Sequence, residues 1–240
     1  MSSKLSTFIC QNCGTETSQY FGKCLNCNSW NSIVEEIKSK RSKYQDIKNS
    51  KKAIPFNEIS SKKISRFTSG FKEFDRVLGG GIVPGSVVLL GGEPGIGKST
   101  IVLQSAGKIS LNEKVLYVTA EESLEQVKIR WERLNQNSID LKIFAATNLS
   151  SIIEQIKNIN PTFAIIDSIQ AINNHEMESS PGSVSQVRAC SSELQNLAKE
   201  NNIALLKIGH VKKMGLHGYP RKSPRRPYWG RHFQRGYKQS

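Results

Sequence analysis

The segment GGEPGIGKST, Gly91 to Thr100, constrains this chain more than any other stretch. It fits G-x-x-x-x-G-K-[ST] with Gly92, Gly97, Lys98 and Ser99. The apolar run Val87-Val88-Leu89-Leu90 before it reads as a strand, and Thr100-Ile101-Val102-Leu103-Gln104 after it reads as a helix. Strand, glycine-rich loop and helix together are what a phosphate-binding loop requires. Backbone N–H groups of the loop and the helix N-terminus can point at a triphosphate. Gly92, Glu93, Pro94, Gly95, Ile96, Gly97, Lys98, Ser99 and Thr100 are therefore the candidate cradle for ATP. Lys98 reaches the β- and γ-phosphates in this reading, and the Ser99 hydroxyl takes Mg²⁺.

The flanking pattern sets the fold class. Short apolar runs at 87–90, 115–118, 141–144, 163–166 and 203–208 alternate with helix-like stretches at 100–109, 124–134, 150–159 and 184–199. This alternation predicts an α/β fold, a mostly parallel sheet covered by helices on both faces. Ligands of such sheets bind at the carboxyl ends of the strands. Two further carboxylate positions follow strands. In PTFAIIDSIQAI, Asp167 ends an apolar run and reads as the carboxylate beside the Mg²⁺ shell; its bland alternative is a turn cap. In YVTAEES, Glu121 or Glu122 can orient or deprotonate a water, or serve as first-turn acids of the next helix; we favour Glu121.

A separate unit precedes this core. Cys10-x-x-Cys13 and Cys24-x-x-Cys27 place four thiolates in two close pairs, which suits tetrahedral Zn²⁺; a redox dithiol or an iron–sulfur site are the other readings. Cys190 stands alone and reads as a packed bystander. The expected organisation is a cysteine module at 1–34, a basic linker at 35–53, a core at 54–211, and a basic tail at 212–240 that is disordered in isolation. A non-specific DNA-contacting role is the alternative for the linker.

Charge points to polyanionic partners. The net charge is +14, but the last 29 residues carry nine Lys/Arg and no Asp/Glu, so the rest of the chain holds only +5. With 37% hydrophobic residues, no eighteen-residue apolar run and no apolar leader, the expectation is a cytoplasmic protein without a membrane partner.

Taken together, the four-cysteine unit, the run SGFKEFDRVLGGGIVPGSVVLLGGEPGIGKST, and the segments YVTAEES, AIIDSIQAI and LLKIGHV resemble the bacterial RadA (Sms) family of DNA repair ATPases, which have a RecA-like core. The resemblance runs from Phe8 to about Val211. It implies a RecA-like P-loop domain behind a zinc finger, with Glu121 as catalytic glutamate and His210 as a γ-phosphate sensor coupled to DNA. It also implies ATP-dependent action on single-stranded and branched DNA in recombination by a hexameric ring, with RecA or a replicative helicase as protein partners. His210 as a plain strand-end histidine is the competing reading. The stretch 173–188 reads as a DNA-facing loop with Arg188 on a phosphate, or as an ordinary surface loop.

Past Val211 the chain leaves the family pattern. A Thr-Lys-Asp-Gly-like loop, a Lys-Asn-Arg-Phe-Gly motif and a Lon-protease-like domain do not follow, and Lys207 is an awkward residue for a buried strand. The tail composition reads as an out-of-frame or recombined C-terminus. Two functions of different class follow: a DNA-dependent ATPase, or a nucleotide- and DNA-binding module without motor activity. A circadian-type RecA-like kinase shares the core motifs but not the cysteine unit.

Overall fold

The computed structural model describes residues 6–37, 55–58, 65–177 and 179–210. The predicted linker and the predicted tail lie almost wholly outside them. Among the described residues no helix is long and apolar enough to cross a membrane.

The cysteine unit is a three-stranded antiparallel sheet in the order β2-β1-β3, with β1 at Ser6–Cys10, β2 at Glu16–Thr17 and β3 at Ile33–Ile37. Its buried hydrophobic cluster is only Cys10, Cys24 and Ile33. Phe8, Cys13 and Cys27 are partly buried against it, so apolar burial is small, and a metal held by the four cysteines would supply much of the folding free energy.

The core is a five-stranded parallel sheet in the order β4-β8-β7-β5-β6. The strands are β4 Val87–Gly92, β5 Val115–Thr119, β6 Leu141–Ala145, β7 Phe163–Asp167 and β8 Ala204–His210. Parallel neighbours need crossovers, and helices supply them: α2 Lys98–Ile109, α3 Leu124–Arg133, α4 Leu149–Ile159 and α5 Val184–Glu200. A short α1, Lys72–Val77, precedes β4.

Period-two alternation divides the sheet into two faces. Val115, Tyr117, Phe163, Ile165, Ala204, Leu206 and Ile208 pack against Val102, Leu103 and Ala106 of α2 and Val127 of α3. Leu116, Val118, Ala164, Ile166 and Leu205 pack against Ile152 and Ile156 of α4 and Leu194 and Leu197 of α5. Strands β5 and β7 are buried at every position, which is why they read as continuous apolar runs rather than alternating ones.

The observed elements match every predicted strand and helix to within two residues at each end. One sequence expectation is modified. The stretch 173–188 is not one loop: Asn173 bridges to Asn148, and α5 begins at Val184, so Arg188 sits on a helix. Lys207 is indeed buried at 5% exposure on β8, where its Nζ donates to the Ser191 hydroxyl on α5. Cys190 is fully buried in the α4/α5 layer, and burial pushes its thiol up to about 11, as suits an inert packed residue.

Candidate nucleotide site and metal centre

The phosphate loop owes its form to backbone that only glycine accepts readily. Gly97 precedes α2 in the left-handed region, φ 89°, and leaves that helix without a side-chain cap. The other long helices are capped by side chains: Ser123 for α3, Asn148 for α4 and Ser183 for α5. The first N–H groups of α2 are thus left for an anion rather than for the protein. At Gly92 a Cβ would stand 2.6 Å from Ile96 Cδ1 and 3.4 Å from Lys98 Cδ, so a larger residue there would have to push the Ile96 side chain aside. Lys98 is 7% exposed, and its Nζ donates to the carbonyls of Gly92 at 3.0 Å and Glu93 at 2.7 Å. The ammonium is therefore held directly over the loop.

Alternation places Asp167 on the same face of β7 as Phe163 and Ile165, toward α2. Its carboxylate is 8% exposed and accepts the Tyr117 hydroxyl at 2.5 Å on Oδ2, with Ser99 of α2 nearby. Burial raises its pKa, and the bond from Tyr117 and the nearby Ser99 hydroxyl oppose that rise. Burial and the neighbouring Asp167 charge push the Tyr117 hydroxyl far up, so it stays a donor. The peptide bond from Asp167 to Ser168 is cis.

The two glutamates after β5 diverge. Glu122 forms an ion pair with Arg130 of α3. Glu121 instead faces the sheet's end, where its carboxylate accepts the Ser168 hydroxyl and meets His210 Nε2 at 3.2 Å. His210 ends β8, and its main-chain carbonyl accepts Gln170 Nε2 at 3.3 Å. The carboxyl ends of β4, β5, β7 and β8 thus bring the loop, Asp167, Glu121 and His210 to one edge, while Glu122 is turned aside. Tyr117, Ser168 and Arg130 were not singled out by the motifs. Tyr117 did leave a signal: a hydroxyl inside a strand buried on both faces must find a partner.

In the cysteine unit, Cys10 and Cys27 sulfurs lie 3.6 Å apart, as do those of Cys13 and Cys24, and all four fall within 4.8 Å of one another. Tetrahedral coordination at a Zn–S length of about 2.3 Å would separate sulfurs by about 3.8 Å, so the donor set fits the metal. Hydrogen bonds with Ser29 draw the Cys27 thiol down to about 6, toward the thiolate a metal takes. The phosphate cradle likewise fits a magnesium nucleotide, through one buried cation, one hydroxyl and one carboxylate.

A phosphate-binding loop at the end of a parallel sheet, with a carboxylate on an inner strand, defines a P-loop nucleotide-binding domain, and the chain belongs to the AAA domain family, which it matches over residues 55–215. Residues 8–35 match the rubredoxin metal binding domain. Its sequence is related to proteins named DNA repair protein RadA. The one from Listeria monocytogenes serovar 1/2a is 45% identical over 222 residues, 91% of this chain and 49% of the relative. That from Bacillus subtilis (strain 168) is 41% identical over 228 residues, 92% of this chain and 50% of the relative. The chain spans about half the length of the curated relatives it matches. Among solved structures, a KaiC-like protein, PH0186, from Pyrococcus horikoshii OT3 is similar with a TM-score of 0.48 and 21% identity, covering 62% of this chain and 71% of that one.

Proposed function

We propose that this chain binds Mg²⁺ and ATP at the Gly92–Thr100 loop and Zn²⁺ at Cys10, Cys13, Cys24 and Cys27, and acts as a DNA-dependent ATPase of homologous recombination. In this reading Lys98 pairs with the β- and γ-phosphates, and the loop amides hold the remaining oxygens. Ser99 and Asp167 hold the metal, which when bound neutralises charge on the phosphates. Glu121 orients the attacking water and accepts its proton. Glu122 is left out because its carboxylate is committed to Arg130. His210 sits against Glu121, so it can answer to the γ-phosphate position and pass that state along β8. The DNA is single-stranded or branched, the outcome is branch migration, and the assembly is a ring.

The observation that carries this reading is the meeting of Glu121 and His210, 89 residues apart in sequence, at the strand ends beside Asp167. The test is phosphate release by the purified chain with and without single-stranded DNA, alongside its mass in solution. DNA-stimulated hydrolysis by an assembly supports the motor reading. Tight nucleotide binding without turnover supports the second reading, a nucleotide- and DNA-binding module. One observation favours that second reading: β4, which carries the loop, is the outer strand of the described sheet, with Leu89 on it 65% exposed. One flank of the site is thus open. No nucleotide binding at all removes both readings.

A further inference from the structure

We propose that Tyr117 is a positioning residue for the metal-binding carboxylate: its buried hydroxyl holds one oxygen of Asp167 so that the carboxylate stays turned toward Ser99. The inference rests on the reading that Asp167 and Ser99 together hold Mg²⁺.

Three observations carry it. Tyr117 is fully buried on β5, an inner strand, within the apolar layer under α2. A phenylalanine would fill that volume equally well, so packing does not account for the hydroxyl. The hydroxyl's partner is Asp167 Oδ2 at 2.5 Å, on the neighbouring strand β7. In register Tyr117 lies opposite Ile165, and Asp167 lies opposite Thr119, so the ring reaches along the sheet toward the loop end to make this bond.

The geometry gives the bond a consequence. The terminal torsion of an aspartate is broad and roughly two-fold, so an unrestrained carboxylate has no single orientation. Main-chain hydrogen bonding already fixes the strand end, through Ala120 N to Asp167 O at 2.7 Å. What remains free is the carboxylate itself. Tyr117 restrains it from β5, and Ser99 meets it from α2. Because Tyr117 is sealed under α2, it touches no nucleotide and acts only through Asp167. Partners that orient a metal-binding group in this way typically change metal affinity by about tenfold or more when removed.

The test compares the full wild-type chain with Tyr117→Phe and Asp167→Asn. A fluorescent ATP analogue is titrated in EDTA and across a Mg²⁺ series, and each chain is melted in EDTA without nucleotide. Tyr117→Phe is expected to bind the metal-free analogue as wild type does and to need about tenfold more Mg²⁺ for half of the metal-dependent gain in affinity. An unchanged Mg²⁺ midpoint in Tyr117→Phe, with a shifted midpoint in Asp167→Asn, overturns the proposal and leaves the site reading intact. Unchanged midpoints in both variants remove Asp167 as the metal carboxylate, and the proposal falls with that reading. A Tyr117→Phe chain that does not fold, or that loses affinity equally with and without Mg²⁺, assigns the hydroxyl to general stability and also overturns it.

Discussion

Two buried lysines show how the same residue type serves opposite ends. Lys98 is held by two loop carbonyls at the mouth of an uncapped helix, where a phosphate can replace them as partner. Charge-assisted bonds of this kind contribute about 1.5–3 kcal/mol. Lys98→Ala should therefore weaken binding of a fluorescent ATP analogue by a factor of roughly 10 to 100, and unchanged affinity would remove the loop from the site. Lys207 instead donates to the Ser191 hydroxyl, and burial lowers its pKa. A group that loses its proton more readily when folded leaves the unfolded chain holding more protons between the two pKa values, so stability rises with pH there. Below the folded value the buried charge is a constant cost. Lys207→Met should thus stabilise the core by about 1 kcal/mol at neutral pH. The gap between variant and wild-type melting temperatures should shrink as pH approaches 10. A gap independent of pH would mean that the Lys207 ammonium reaches water and keeps its ordinary pKa in the fold. The residue scale is also where the sequence ran out. Glu121 and Glu122 are adjacent, and only the turn after β5 sends one to His210 and the other to Arg130. The Tyr117 to Asp167 bond spans 50 residues and depends on strand register, which no local motif encodes.

The elements form for local reasons that the sequence states more openly. Helix α3 begins with a capping box, in which Ser123 accepts from Gln126 N and Gln126 Oε1 accepts from Ser123 N. Ser123→Ala should cost about 1 kcal/mol in thermal or denaturant unfolding, and a change within error would mean the cap is dispensable. The inner strands β5 and β7 were legible because both their faces are buried, which makes them continuous apolar runs. The three strands of the cysteine unit were not, because β2 has two residues and β1 and β3 have five each, too short for an apolar period to stand out. Short α1 escaped notice because none of its residues is buried, so no apolar stripe marks it. The ribbon's dependence on its cysteines gives the next prediction. Cys10→Ser should release bound zinc, measured by metal analysis, and unfold the ribbon alone. The sheet from β4 to β8 keeps its own apolar layers and should melt as before. A core that melts together with the ribbon would show that the two units fold as one.

At the scale of the whole chain, positive charge is concentrated at one end of the sequence. Residues 212–240 hold nine Lys/Arg with Tyr219, Tyr228, Trp229, Phe233 and Tyr237 interleaved, against a remainder of only +5. Phosphate contact and base stacking need just these two ingredients and no fixed fold. We therefore expect this segment to bind single-stranded nucleic acid weakly and without sequence preference, whatever its origin. Binding driven by counterion release falls steeply as salt rises, with a slope that counts the phosphates neutralised. The decisive comparison is the full chain against a version ending at Val211, titrated with single-stranded DNA at low and moderate salt. Losing the tail should lower affinity and flatten the slope while leaving the affinity for the ATP analogue unchanged, because the loop, Asp167 and Glu121 all lie before residue 211. Unchanged DNA affinity and slope would exclude the tail as the contact. DNA binding would then have to come from a basic surface earlier in the chain, with Arg188 on α5 and the lysines of residues 35–53 as the groups to substitute first.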